Sequence, residues 1–119
     1  MERVRFLRHN HKEILFLDFS QCKTAEVFPL IEKAKAVIAT QAERSLLTLT
    51  DVTNMRFDDT LNQRMKEFTA HNKPFVKAAA VVGVTGIKKI LFEAVMLFSK
   101  RKLHAFETIE QAKNWLSTQ

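Results

Sequence analysis

The sequence predicts a single-domain α/β sandwich, one mixed and mostly parallel five-stranded sheet with four helices in the order β-β-α-β-α-β-α-β-α. Three observations carry this expectation. After an opening pair of short apolar runs joined by a polar turn, stretches of strand composition alternate with stretches of helical periodicity, the pattern of parallel strands joined by right-handed crossovers. The run from Val76 to Val84 is small and β-branched with almost no polar alternation, as a strand covered on both faces should be. Finally, 119 residues, 46% of them hydrophobic, carry no repeat, low-complexity stretch or linker, and two Gly and two Pro leave few places to break. Residues 1–119 therefore read as one domain, long enough to bury roughly two-thirds of its unfolded surface.

Each element has its own signal. Val4 to Arg8 and Glu13 to Phe19 form a hairpin about His9-Asn10-His11-Lys12, where Asn suits a positive φ. Thr24 caps a first helix that places Val27, Phe28, Ile31, Ala34 and Ile38 at helical spacing, sets Glu26 in the first turn and runs to about Gln41. Ser45 to Thr50 is a strand whose polar exit is Asp51-Val52-Thr53-Asn54. Asp58, Asp59 and Thr60 start a second helix carrying Leu61, Met65 and Phe68, and Asn72-Lys73-Pro74 ends it because the residue before proline avoids the α region. The Val76 to Val84 strand follows, Thr85-Gly86 opens a third helix, and Lys102 to Phe106 is a last short strand. Thr108-Ile109-Glu110-Gln111 has the form of a capping box before a terminal helix with Ala112, Trp115 and Leu116 on one face.

Several chemistries lose their usual residues. The longest nearly uninterrupted apolar run, Ile90 to Phe98, contains Glu93 and is about half of the ~20 residues a bilayer crossing needs. Met1-Glu2-Arg3-Val4-Arg5 leads into short alternating residues instead of a signal-peptide core, so a cytoplasmic location is expected, peripheral at the inner membrane face if the third helix meets lipid. Cys22 is the one cysteine, with Lys23 beside it but no base in reach, and reads as a half-buried thiol. His9, His11, His71 and His104 have no Cys or Glu at ligand spacing, so neither metal nor cofactor is expected. Asp18 and Asp51 lack the companions of a receiver-type acidic pocket. No catalytic set results, and the expectation is a protein that is not an enzyme.

The net charge of +6 is unevenly placed: residues 1–60 hold nine basic and nine acidic side chains, residues 61–119 ten and four. Lys88, Lys89, Lys100, Arg101 and Lys102 against Glu93 concentrate +4 between Gly86 and Lys102. On a helical wheel Ile87, Ile90, Leu91, Ala94, Val95, Leu97 and Phe98 share one broad face of the third helix, which belongs to the core or to a pocket. Phe92 and Met96 then stand on the opposite side among Lys88, Lys89, Glu93 and Lys100. Such a face suits an anionic membrane, and equally a homodimer contact or a further packing neighbour. Nucleic acid ranks behind these, because Tyr is absent and most Phe fall at core-like positions, leaving no stacking platform.

The stretches Ile14 to Phe19, Leu47 to Asn54, His71 to Val76, Ala80 to Gly86, and Ala105-Phe106 through Ala112 to Leu116, in that order, resemble the STAS-type fold. In particular the chain resembles the bacterial SpoIIAA-like family, related in shape to anti-sigma-factor antagonists and CRAL-TRIO lipid-transfer domains. The resemblance covers essentially the whole chain and implies binding of a nonpolar ligand or membrane association more than catalysis. The antagonists carry Asp-Ser-Ser-Gly with the second Ser as phosphate acceptor. Here the corresponding stretch is Asp59-Thr60-Leu61-Asn62, with leucine at the acceptor position, so that switch is not expected.

Two polar exits stand where open α/β sheets bind ligands, beyond the carboxyl ends of parallel strands near a switch in strand order. Asp51, Thr53 and Asn54 leave one strand; Gly83, Thr85 and Gly86 leave another and lead into a helix N-terminus whose free N–H groups favour an anion. Plain turn-making and capping explain the same residues. The leading expectation is a binding domain for a small nonpolar or amphipathic ligand, in a pocket between the sheet and the second and third helices. Phe57, Leu61, Met65, Phe68, Ile90, Leu91, Ala94 and Phe98 line that pocket, while Asp51, Thr53, Asn54, Thr85 and Gly86 orient a head group. Lys88, Lys89, Phe92, Met96, Lys100, Arg101 and Lys102 form the membrane or partner surface. The alternative is a regulatory protein-interaction module of the antagonist type, without the phosphorylation switch, binding its partner through the second helix.

Overall fold

The computed structural model describes residues 2–119. Nine elements follow one another: β1 (Val4–His9), β2 (Lys12–Asp18), α1 (Thr24–Ile38), β3 (Leu46–Asp51), α2 (Asp59–Asn72), β4 (Val76–Val82), α3 (Lys88–Ser99), β5 (His104–Phe106) and α4 (Ile109–Leu116). The five strands make one sheet in the order β1-β2-β3-β4-β5. β1 pairs antiparallel with β2 and every other pair is parallel. The expected α/β architecture is thus present, with the first strand of the hairpin as an antiparallel edge. Asn10 (φ 49°) and His11 (φ 68°) form the hairpin turn, the pair of positive φ angles that matches the twist of the flanking strands.

Local chemistry sets the helix ends with small departures from expectation. Thr24 is the first residue of α1 and Lys23 its cap, Glu26 Oε1 accepting the Lys23 N–H at 2.9 Å; the helix closes at Ile38, with Ala39 to Gln41 continuing only as turns. Asp58 caps α2 by accepting from the Leu61 N–H at 2.8 Å. Thr108 and Gln111 form the capping box of α4. β4 ends at Val82, because Gly83 turns the chain at φ 94° where a Cβ would come within 2.5 Å of the Thr53 backbone N and Oγ1.

Strand alternation distributes two cores. Leu15, Leu17, Leu46 and Val81 face the side covered by α1, α2 and α3, together with Val27, Ile31, Ile38, Leu61, Met65, Phe68 and Val95. Ile14, Phe16, Leu47, Leu49, Ala80 and Val82 face the other side, where α4 brings Ala112 and Leu116. Three helices on one face follow from the strand order: each right-handed crossover from β2 to β5 steps the same way across the sheet, so each helix lands on the same side. Cys22 is fully buried instead of half-buried (1% exposed), and burial pushes its thiol up. Among the described residues no group of His, Cys, Asp and Glu is arranged to hold a metal ion, and no helix is long and apolar enough to cross a membrane.

β4 is flanked by β3 and β5, and Ala80 within it has no solvent exposure. Ala80→Asp places a carboxylate between Leu49 and α4, and the expected loss is several kcal/mol out of a typical total of ~5–15. A thermal melt checks this. A midpoint within a degree or two of the parent would show that this strand is not buried.

Candidate functional site

The side of α3 that meets the protein is turned partway round from the one its periodicity suggests: Leu91 and Val95 of the expected face stay inside, joined there by Lys88, Phe92 and Met96. Val95 and Ser99 are its buried residues, and Phe92 packs against the main core. Met96 is part-buried, its Sδ 3.5 Å from the Leu103 backbone N–H that donates to it. Ile87 (74%), Ile90 (67%), Leu97 (81%) and Phe98 (50%) lie exposed on the other side. The physical reason is that α3 is apolar almost all round, so the wheel has two candidate faces and the end contacts choose between them. Lys88 lies on the inner side with Nζ donating to the Val52 carbonyl at 2.8 Å, and Arg101, just past the helix, donates from Nη1 to the Thr69 carbonyl at 3.2 Å. Burial pulls the Lys88 amine below the ordinary lysine range, with the charge of Asp51 opposing. Burial likewise pulls the Arg101 guanidinium down to about 10.

Between these two tethers a cavity of about 70 Å³ opens beneath α3. Its floor is the strip of sheet carrying Thr48, Thr50, Ala79 and Val81, and its walls include Phe57, Met65, Phe68, Leu91, Phe92 and Val95. The floor explains the void. Threonine and alanine are short where the two helices above them bridge the sheet, and α3 packs on α2 far more than on any strand. Asn72, Thr69, Lys88 and Arg101 supply the polar part of the lining.

Of the residues expected to line a pocket, Phe57, Met65, Phe68 and Leu91 do so. Leu61 is fully buried in the core beside it. Ile90, Ala94 and Phe98 are on the outer side of α3 and do not reach the cavity. The surface set divides in the same way: Lys89, Lys100 and Lys102 are exposed, whereas Lys88, Phe92 and Arg101 line the cavity and Met96 faces the protein. Sequence reasoning missed Thr48, Thr50, Thr69, Asn72, Lys88 and Arg101 as cavity residues. Threonines at alternate positions of an otherwise apolar strand were the available signal for the first two.

The polar exits do meet, Gly83 against Thr53, but they do not make an anion cup. Asp51 Oδ1 accepts from the Thr53 N–H at 2.9 Å and from Thr53 Oγ1 at 2.6 Å, closing a turn; Asp18 does the same with Ser20 one strand over. Asn54 is exposed at φ 55°. Thr85 caps nothing: α3 starts at Lys88 after Ile87, and the N–H groups of Lys88, Lys89 and Ile90 are spent on the carbonyls of Thr85, Gly86 and Ile87, each at 3.1 Å. Thr85 and Gly86 themselves are exposed. A strand order that runs 1-2-3-4-5 has no reversal, so the crevice that a switch point would open is absent from this sheet.

No protein-family model matches the chain, and comparison with curated proteins and with solved structures likewise finds no match.

The orientation of α3 has a direct stability test. Phe92→Ser removes a ring packed on the core and should lower stability by about 1–3 kcal/mol, whereas Ile90→Ser on the outer side should stay within about 0.5 kcal/mol. Denaturant unfolding of the two variants checks it. The reverse ranking would place Phe92 outside.

Proposed function

We propose that this chain is a non-enzymatic binding domain for a small nonpolar or lipid-like ligand, with α3 as lid and as the surface that touches an anionic membrane reversibly. The observation that carries the reading is the apolar cavity beneath α3, coupled with an outer α3 face that is itself apolar. The cavity is about half of the ~150 Å³ that takes up benzene in an engineered protein, so it seats a short apolar segment and a longer chain displaces α3. α3 is suited to that, since it rests mainly on α2 and buries only two residues. The resemblance to SpoIIAA-like proteins and CRAL-TRIO domains supports the same reading.

For the membrane part, Ile87, Ile90, Leu97 and Phe98 supply the apolar term. Lys89 and Lys100 flank them, and Lys66 Nζ sits 5.9 Å over the Phe98 ring. A few such lysines at about 1 kcal/mol each near an anionic leaflet give weak, salt-sensitive binding. A second copy of the chain covering the same stripe is the competing occupant, and the membrane is favoured because Lys66, Lys89 and Lys100 against the single Glu93 leave the border of the stripe net positive, so that two copies would repel.

Native mass spectrometry of the purified chain should show a retained nonpolar molecule. In flotation with anionic vesicles the parent should rise and Ile90→Ser with Leu97→Ser should not, at unchanged melting temperature; neutral vesicles should carry neither. Equal flotation of parent and double variant would falsify the membrane role, and a dimer abolished by the same double variant would assign the stripe to self-association.

A further inference from the structure

We propose that the ligand of the cavity carries an anionic head, and that Arg101 together with a basic groove on its far side holds that head. The inference rests on the binding function proposed above and names the chemical class of the ligand: a hydrocarbon chain ending in a phosphate or similar anion. The groove, of about 570 Å³, is lined by Arg44, Lys73, Lys77, Lys100, Arg101 and Lys102, and no acidic residue contributes to its wall. None of these six side chains forms an ion pair among the described residues.

Groove and cavity are adjoining spaces. Arg101 and Ala79 belong to the wall of both, so a molecule with its chain on Ala79 under α3 presents its head to the guanidinium. That guanidinium makes one hydrogen bond to the protein, to the Thr69 carbonyl, out of the five N–H groups it carries. Burial pulls its pKa down, and among the described residues it has no ion-pair partner. A part-buried cation without a counter-ion calls for one from outside.

The cations are also held where other residues would be easier. Arg44 (φ 51°) and Lys100 (φ 56°) occupy the left-handed region that favours glycine. Lys77 is the extra residue where the β3–β4 register shifts between Leu46 and Leu47, and such a bulge re-aims a side chain. Lys73 and Lys100 cap the C-termini of α2 and α3, but two helix ends at about half a negative charge each offset only about one of the six positive charges.

The test is calorimetric titration of the whole chain with decyl phosphate, decanol and inorganic phosphate, below the micelle concentration of the first. At low salt decyl phosphate should bind about tenfold or more tighter than decanol, and inorganic phosphate weakest. The advantage over decanol should vanish in Arg101→Gln and in the exposed pair Lys77→Gln with Lys102→Gln, which guards against loss of folding in the first, and should persist in Arg8→Gln on the distant β1 edge. Equal affinity for decanol and decyl phosphate overturns the head-group assignment and leaves the cavity reading standing. Inorganic phosphate binding as tightly as decyl phosphate overturns the cavity reading and with it the proposed ligand class, because the hydrocarbon then contributes nothing, and the absence of binding by either decyl compound overturns both the cavity reading and the head-group assignment.

Discussion

Three consecutive alanines in an interior strand decide how both faces of this sheet are covered. Ala78 and Ala80 turn toward α4, and their small side chains let a helix of two turns lie close enough to seal that face with Ala112 and Leu116. Ala79 turns the other way, beside Thr48 on β3, where the same smallness leaves space under α2 and α3. A leucine at Ala79 would fill the cavity and a leucine at Ala80 would push α4 away. The strand thus exchanges packing volume on one side for close approach on the other, and Gly83 fixes its exit by leaving no room for a side chain against Thr53.

The cavity survives because α3 is held at its ends and against α2, and not against the sheet beneath it. Lys88 reaches back to the carbonyl at the end of β3 and Arg101 to a carbonyl in the last turns of α2. Hydrogen bonds from charged donors contribute about 1.5–3 kcal/mol where both partners are well placed, less the desolvation that each cation suffers. Between these points only Val95 and Ser99 are buried, and the Ser99 hydroxyl is spent on the Val95 carbonyl within the helix. A helix with two polar anchors and a thin apolar seam has a low local stability compared with α1, which buries four residues along one stripe.

How far the sequence could be read divides along the same line. Element order, the antiparallel edge and the interior position of β4 follow from composition and spacing, because they depend on patterns that one segment carries alone. The inner face of α3 does not, because Ile90, Phe92, Leu97 and Phe98 are all large and apolar and the choice among them is made by Lys88 and Arg101, which periodicity assigns to solvent. The basic groove is equally hidden: Arg44, Lys73, Lys77 and Lys100 to Lys102 come from three stretches that meet only once β3 and β4 have paired. The polar exits misled for the opposite reason. Asp51 and Thr53 have the right letters at the right place, yet satisfy one another.

The two ends of the sheet therefore differ in kind. At the carboxyl ends of β2 and β3, Asp18 and Asp51 each accept a backbone N–H and a hydroxyl from the residue two positions on, and Arg3 adds an ion pair to Asp18 at 3.7 Å. Their oxygens are held by their own turns, which makes them structural. At the amino ends of β3 and β4 the cations have no such local partners, and the helix C-termini that gather there offset only a fraction of them. In a parallel sheet the usual expectation places ligands at the carboxyl ends, but that rule rests on a crevice opened by a reversal of strand order. Where the strands run in unbroken sequence the crevice is missing, and the positions left with unsatisfied charge and unfilled volume lie instead under α3 and past its C-terminal end.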